Sequence, residues 1–141
     1  MSIKIYTADE FMTLKPPSVP YLVEPIIPYG GVVFMYGKSG VGKSPLSWLL
    51  ADAVVAGTDV LGMKVEKPSP VLYIDVDTRW WTIQSRWEKA MYTPKFDIAV
   101  GEGFDCMSPH WMYSPIRGEF EARQKEKGYK LVCISTLAKI H

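Results

Sequence analysis

The run Gly37-Lys38-Ser39-Gly40-Val41-Gly42-Lys43-Ser44 constrains this chain more than any other stretch, because it matches the pattern G-x-x-x-x-G-K-[ST] in full. Before it, Gly31-Val32-Val33-Phe34-Met35-Tyr36 reads as a short apolar run, which predicts a buried strand. After it, Leu46-Ser47-Trp48-Leu49-Leu50-Ala51 begins a helical pattern, so a helix is predicted from Ser44 onward. A glycine-rich turn with an incidental Lys-Ser pair is the plain alternative. The flanking strand and helix patterns argue against it.

Strand, glycine loop and helix in that order suit a polyphosphate. Glycines let successive backbone N–H groups turn inward on an anion, and the loop delivers that anion to the positive end of a helix. Lys43 is then expected to reach the β- and γ-phosphates, and the Ser44 hydroxyl to take one position around Mg2+. Pro45 falls in the first helical turn, where its missing N–H costs little. The expected nucleotide-binding residues are Gly37, Lys38, Ser39, Gly40, Val41, Gly42, Lys43, Ser44 and Pro45, with Lys43 also expected to act in catalysis.

With 141 residues, the chain is long enough for one domain with a core and too short for two. Hydrophobic residues at 48% and charged ones at 22% are ordinary for a globular chain, and a net charge of +1 makes no electrostatic case for nucleic acid. Cys106 and Cys133 have no metal-ligand spacing, which fits a reduced, cytosolic setting with Cys133 buried in a strand. His110 and His141 lack partners at ligand spacing and read as surface or loop residues. No basic region leads into an apolar core at the N-terminus and no run approaches a membrane span, so a cytoplasmic chain with no membrane partner is expected.

Residues 3–14 suggest a short strand and then a helical turn capped by Thr7, with Glu10 completing the box. The proline-studded segment from Lys15 to Gly31 reads as an extended arm over the domain, giving an arm at 1–30 and a core at 31–141. Gly57 is expected to stop the first long helix, with a linker over 58–70. Val71-Leu72-Tyr73-Ile74-Asp75-Val76-Asp77 predicts a strand covered on both faces, with Asp75 and Asp77 on one face. Ligands bind beyond the carboxyl ends of strands in open α/β sheets, which puts Asp77 near the nucleotide.

Thr78 is expected to cap the next helix, where Trp80, Ile83, Gln84 and Trp87 share one side. Such a stripe stacks bases in some single-strand binders but is more often core packing. Further predictions are a strand over 96–100, an irregular loop over 101–115, a charged helix from Pro115 or Ile116 to Lys127 bounded by Gly128, and a last strand over 129–136. Alternating strands and helices argue for a parallel α/β sheet with right-handed crossovers.

The order of Pro20-Tyr21-Leu22-Val23-Glu24-Pro25-Ile26-Ile27-Pro28-Tyr29-Gly30-Gly31, the phosphate loop, the Asp-bearing strand and Leu131-Val132-Cys133-Ile134-Ser135-Thr136-Leu137-Ala138-Lys139-Ile140 resembles the RepA-like, RecA-fold, AAA-type P-loop ATPases of plasmids, phages and prokaryotes. The resemblance implies an α/β P-loop NTPase with a RecA-like parallel sheet flanked by helices, ATP and Mg2+ as cofactors, a homo-oligomer and DNA as a partner in replication or recombination. It also implies a catalytic acid at Asp77, which orients the attacking water, and a recurring arginine at Arg86.

Two departures matter. The family's last strand ends in an Asp in the metal shell, where this chain has Ser135, so weaker metal binding and slow hydrolysis are expected. The strand that the family inserts between the phosphate-loop strand and the Asp-bearing strand comes later than residue 141, so the sheet is expected to be incomplete, with an exposed apolar seam. A fragment, an unusual strand order or a strand from a partner would each account for it.

A second resemblance is to the ParA/MinD partitioning ATPases, through Lys38-Ser39-Gly40-Val41-Gly42-Lys43-Ser44 and Ile74-Asp75-Val76-Asp77. It implies that Lys38 is offered across a dimer and that the Asp-bearing strand lies beside the phosphate-loop strand. The proline segment and the linker over 58–70 are untypical of that family. A nucleotide-binding module or fragment without turnover is the non-enzymatic alternative.

Overall fold

A computed structural model of the chain describes residues 3–15, 18–75, 78–100 and 115–135. Asp77, Cys106, His110, His141 and residues 101–114 of the loop predicted over 101–115 lie outside the described residues.

The first helix, α1 (Ala8–Thr13), has the expected capping box. Thr7 Oγ1 accepts from the Glu10 N–H at 3.2 Å, and a Glu10 carboxylate oxygen accepts from the Thr7 N–H at 2.9 Å. These bonds hold the Glu10 carboxyl below its ordinary value, the backbone bond most of all. No residue of α1 is buried, so its local cap and not core packing defines it. The short strand predicted ahead of it is absent: residues 3–6 take no regular structure.

The proline-studded segment is more than an arm. It forms β1 (Tyr21–Glu24) and β2 (Ile27–Pro28), which pair antiparallel, and β3 (Lys64–Val65) from the predicted linker joins the other edge of β1. Leu22 and Val23, 3% and 0% exposed, enter the main core. Pro28 ends the edge strand β2, where a missing N–H interrupts no central ladder.

The second sheet is parallel. Its strands are β4 (Val71–Asp75), β5 (Asp97–Val100) and β6 (Leu131–Ser135), in the order β5-β4-β6. All residues of β4 are buried, as expected for a central strand covered on both faces. Its helices are α2 (Lys43–Ala56), α3 (Trp80–Lys89) and α4 (Pro115–Lys127).

Alternation along β4 divides the core. Val71 and Tyr73 pack with Leu50, Ala51 and Val54 of α2 and with Trp87 of α3, while Leu72 and Ile74 pack with Tyr129 and with Phe120 of α4. From β4 the chain crosses by α3 to one edge and, after β5, by α4 to the other edge. Steps in opposite directions with helices on opposite faces are what right-handed crossovers require. Trp48 anchors the first layer, with ring centroids 5.6 Å from Trp87, 6.0 Å from Tyr92 and 6.5 Å from Tyr73.

The strand predicted over 31–36 does not form. Val32, Phe34 and Tyr36 are 80%, 69% and 93% exposed. A strand exists only with a partner ladder. Both edges of β4 are taken by β5 and β6, and no described strand pairs with residues 31–36. The apolar side chains of this run therefore face solvent outside both sheets.

Candidate functional site

The loop is shaped by its glycines. Gly40 and Gly42 have φ of 82° and 91°, in the left-handed region where a side chain is strained even though nothing lies within 4 Å of a Cβ placed at either. Gly42 is the N-cap of α2 and provides no side-chain cap, and the first turn of α2 contains no acidic residue. The positive end of a fourteen-residue helix therefore meets the loop without a carboxylate to offset it. Lys43 Nζ donates to the carbonyls of Gly37 and Lys38, both at 2.7 Å, and so bridges the loop from inside. Ser44 is half-buried in the first turn, Pro45 is exposed beside it, and Gly37, Lys38, Ser39 and Val41 are exposed.

Hydrogen bonds fix which end of the sheet this loop faces. The Ser69 N–H donates to the Val54 carbonyl at 2.9 Å, tying the last turn of α2 to the start of β4. Nearer its own start, α2 brings Trp48 against Tyr73 in mid-strand. The helix thus runs antiparallel to β4, and its opening turn, with Lys43 and Ser44, lies toward the carboxyl ends of the strands. In open α/β sheets that end binds ligands.

Ser135 closes β6 at that same end, in register with Asp75 of β4. Both lie on the face that α2 covers, since Val71, Tyr73, Leu131 and Cys133 of the same alternation pack in its core. Asp75 is 4% exposed, and one of its carboxylate oxygens accepts from the Thr78 N–H at 2.8 Å. Sequence reasoning placed Asp75 on a face with Asp77 but gave it no role, because the signal is its register with Ser135 and no spacing in the chain encodes that. Asp77 lies outside the described residues.

Three details of the next helix differ from expectation. Its N-cap is Arg79, without a side-chain cap, and not Thr78. Arg86 stands in the last turn of α3, away from the strand end, while Arg79 places its guanidinium 5.1 Å from the ring centre of Trp81. The tryptophan stripe divides: Ile83 and Trp87 join the interior, whereas Trp80 and Trp81 remain 55% and 43% exposed.

The titratable groups with clear shifts lie elsewhere. Burial pushes the Cys133 thiol up to about 11, which leaves it protonated and unreactive at neutral pH. Burial, with a hydrogen bond to Asp97 at 2.6 Å, pushes Tyr129 up to about 12. Burial and a bond to Asp52 at 2.8 Å raise Tyr92 as well.

Among the described residues no group of three or more His, Cys, Asp or Glu is placed to hold a metal by itself. Among the same residues no helix is long and apolar enough to cross a membrane.

A glycine loop opening a helix at the carboxyl end of a parallel, helix-covered sheet defines an α/β domain of the P-loop type. The family model described as AAA domain matches residues 3–141, so the chain belongs to that family of AAA-type ATPases, which carries a nucleotide-binding, ATPase-like function. A search of the curated proteins finds no match to the chain.

Proposed function

We propose that this chain binds ATP with Mg2+ as a RecA-type, RepA-like P-loop domain, and that it serves DNA replication or recombination as part of a homo-oligomer in the cytoplasm. The observation that carries the reading is the loop itself: left-handed Gly40 and Gly42 lead into an uncapped helix start, with Lys43 already bridging the loop. In this reading residues 31–141 carry the nucleotide site, and 1–30 form an N-terminal arm whose Leu22 and Val23 are seated in the same core. The backbone from Gly37 to Pro45 cradles the polyphosphate and excludes water from it. Lys43 exchanges its loop carbonyls for phosphate oxygens and holds charge there.

Ser44 and Ser135 are the hydroxyls that would hold a Mg2+ ion or its waters, and such an ion would supply charge neutralisation to the bound polyphosphate. Asp77 orients the attacking water. With serine at 135, hydrolysis is slow relative to binding. Pairing of β4 on both edges supports a RecA-type order over the partitioning-ATPase order, in which the phosphate-loop strand lies beside the Asp-bearing strand. DNA as partner rests on the RepA-like resemblance.

Titration with a fluorescent ATP analogue tests the reading, with and without Mg2+, on the chain and on Lys43→Ala. Saturable binding by the chain and at least a tenfold loss in the variant are expected, since the variant removes a charge-assisted bond to phosphate worth about 1.5–3 kcal/mol. Equal affinity in both proteins would remove the phosphate loop from the function.

A further inference from the structure

The strand register puts a carboxylate beside the position where Ser135 stands in place of an acid. Asp75 ends β4 and Ser135 ends β6, and the two are paired residue to residue across adjacent parallel strands. Neighbouring strands lie about 4.8 Å apart, so groups on these side chains can share one water or one ion shell. Both residues sit on the α2 face, at the sheet end toward which Lys43 and Ser44 lie. Asp75 is 96% removed from solvent, with 4% exposure, and its bond from the Thr78 N–H holds the carboxylate at the strand end.

Two other acids of the sheet and of α2, Asp97 and Asp52, serve the opposite end. Asp97 opens β5 and accepts from the Tyr129 hydroxyl, and Asp52 of α2 accepts from the Tyr92 hydroxyl and the Lys95 N–H. Among the described residues, Asp75 is the carboxylate at the carboxyl end of the sheet on the face of α2.

We propose that Asp75 supplies, from the neighbouring strand, the negative charge that the metal shell lacks at Ser135. This inference rests on the nucleotide-binding reading above. In it, Ser44 would hold the cation, and Asp75 would act with the Ser135 hydroxyl on the waters around it. A fixed carboxylate that accepts hydrogen bonds from metal-bound waters favours the divalent cation and orients those waters. Asp75 is thus a positioning residue, and the serine at 135 relocates the charge of the shell to the next strand.

The test measures the metal dependence of nucleotide binding apart from any turnover. The chain and Asp75→Asn are titrated with a fluorescent ATP analogue in Mg2+ and again in EDTA, and Mn2+ binding in the presence of the analogue is followed by electron paramagnetic resonance. Asn preserves the acceptor for the Thr78 N–H. Asp75→Asn is expected to lose about ten- to a hundredfold in metal affinity, the usual cost of removing a partner behind a metal ligand, with the metal-free affinity unchanged.

A double variant, Asp75→Asn with Ser135→Asp, is expected to regain the metal enhancement, because it returns the charge to the adjacent register position. Retention of the wild-type enhancement by Asp75→Asn would overturn the proposal. So would equal loss of metal-free and metal-bound affinity without rescue by Ser135→Asp, the behaviour of a merely structural residue. Absence of analogue binding by the unmodified chain would instead sink the nucleotide reading, and this inference with it.

Discussion

Val32-Val33-Phe34-Met35-Tyr36 and Val71-Leu72-Tyr73-Ile74-Asp75 are nearly interchangeable as sequences, each a short apolar run with β-branched and aromatic residues. In the structure they share almost nothing. Tyr73 is 1% exposed and Tyr36 is 93% exposed. The β4 run has a strand on each edge and helices on both faces, while the run before the phosphate loop has neither a ladder nor a cover among the described residues. Hydrophobic pattern therefore proposes a strand, and available neighbours decide whether one exists. In the first run the apolar side chains meet water, so replacing one should cost little, whereas in the second each contact is already made.

The largest expected contrast comes from truncating one aromatic in each run. Tyr73→Ala removes a buried ring that touches Trp48 and Phe96 and should destabilise the fold by about 3–5 kcal/mol in urea unfolding. A change below about 1 kcal/mol would mean that the aromatic layer between α2 and β4 is loosely packed and that the contrast fails.

A smaller effect sharpens the comparison through Cys133, which lies in register with Tyr73 on the same covered face. Burial raises this thiol from 9.0 to about 11, so the folded chain holds the proton more tightly than the unfolded chain does. The contribution to stability is complete below pH 9 and falls as the pH climbs toward 11. Denaturant midpoints of the chain and Cys133→Ser, measured below pH 9 and near pH 11, should reveal a pH-dependent loss in the chain that the variant lacks. Parallel pH profiles would mean that the face is open to water at β6.

The smallest effect belongs to the exposed run. Phe34→Ser should leave the unfolding midpoint within about 0.5 kcal/mol of the unmodified chain. A cost like that of Tyr73→Ala would show that residues 32–36 are packed in solution, and the contrast between the two runs would collapse.

Local chemistry was legible wherever the chain itself encodes it. Thr7 and Glu10 formed their box, Gly57 and Gly128 took positive φ at helix ends, and Gly40 and Gly42 gave the loop its left-handed turns. Helices α2, α3 and α4 fell close to their predicted spans, because apolar periodicity and stop signals lie within one helix length. Less was readable where the outcome depends on remote segments. The proline segment became a hairpin because β3, some forty residues on, offered an edge to β1 and the core took in Leu22 and Val23. Trp80 stayed outside while Trp87 went in, which a helical stripe alone does not distinguish, because helix rotation is set by what lies beneath it.

Residue type and spacing along a few turns of chain were enough for the glycine loop, the alternation of strands and helices and the serine at position 135. Which apolar runs became strands, and the register of Asp75 with Ser135, came from packing between distant segments. Strand pairing joins residues sixty positions apart through backbone hydrogen bonds that carry no side-chain signature, so no local pattern can write that partnership into the chain.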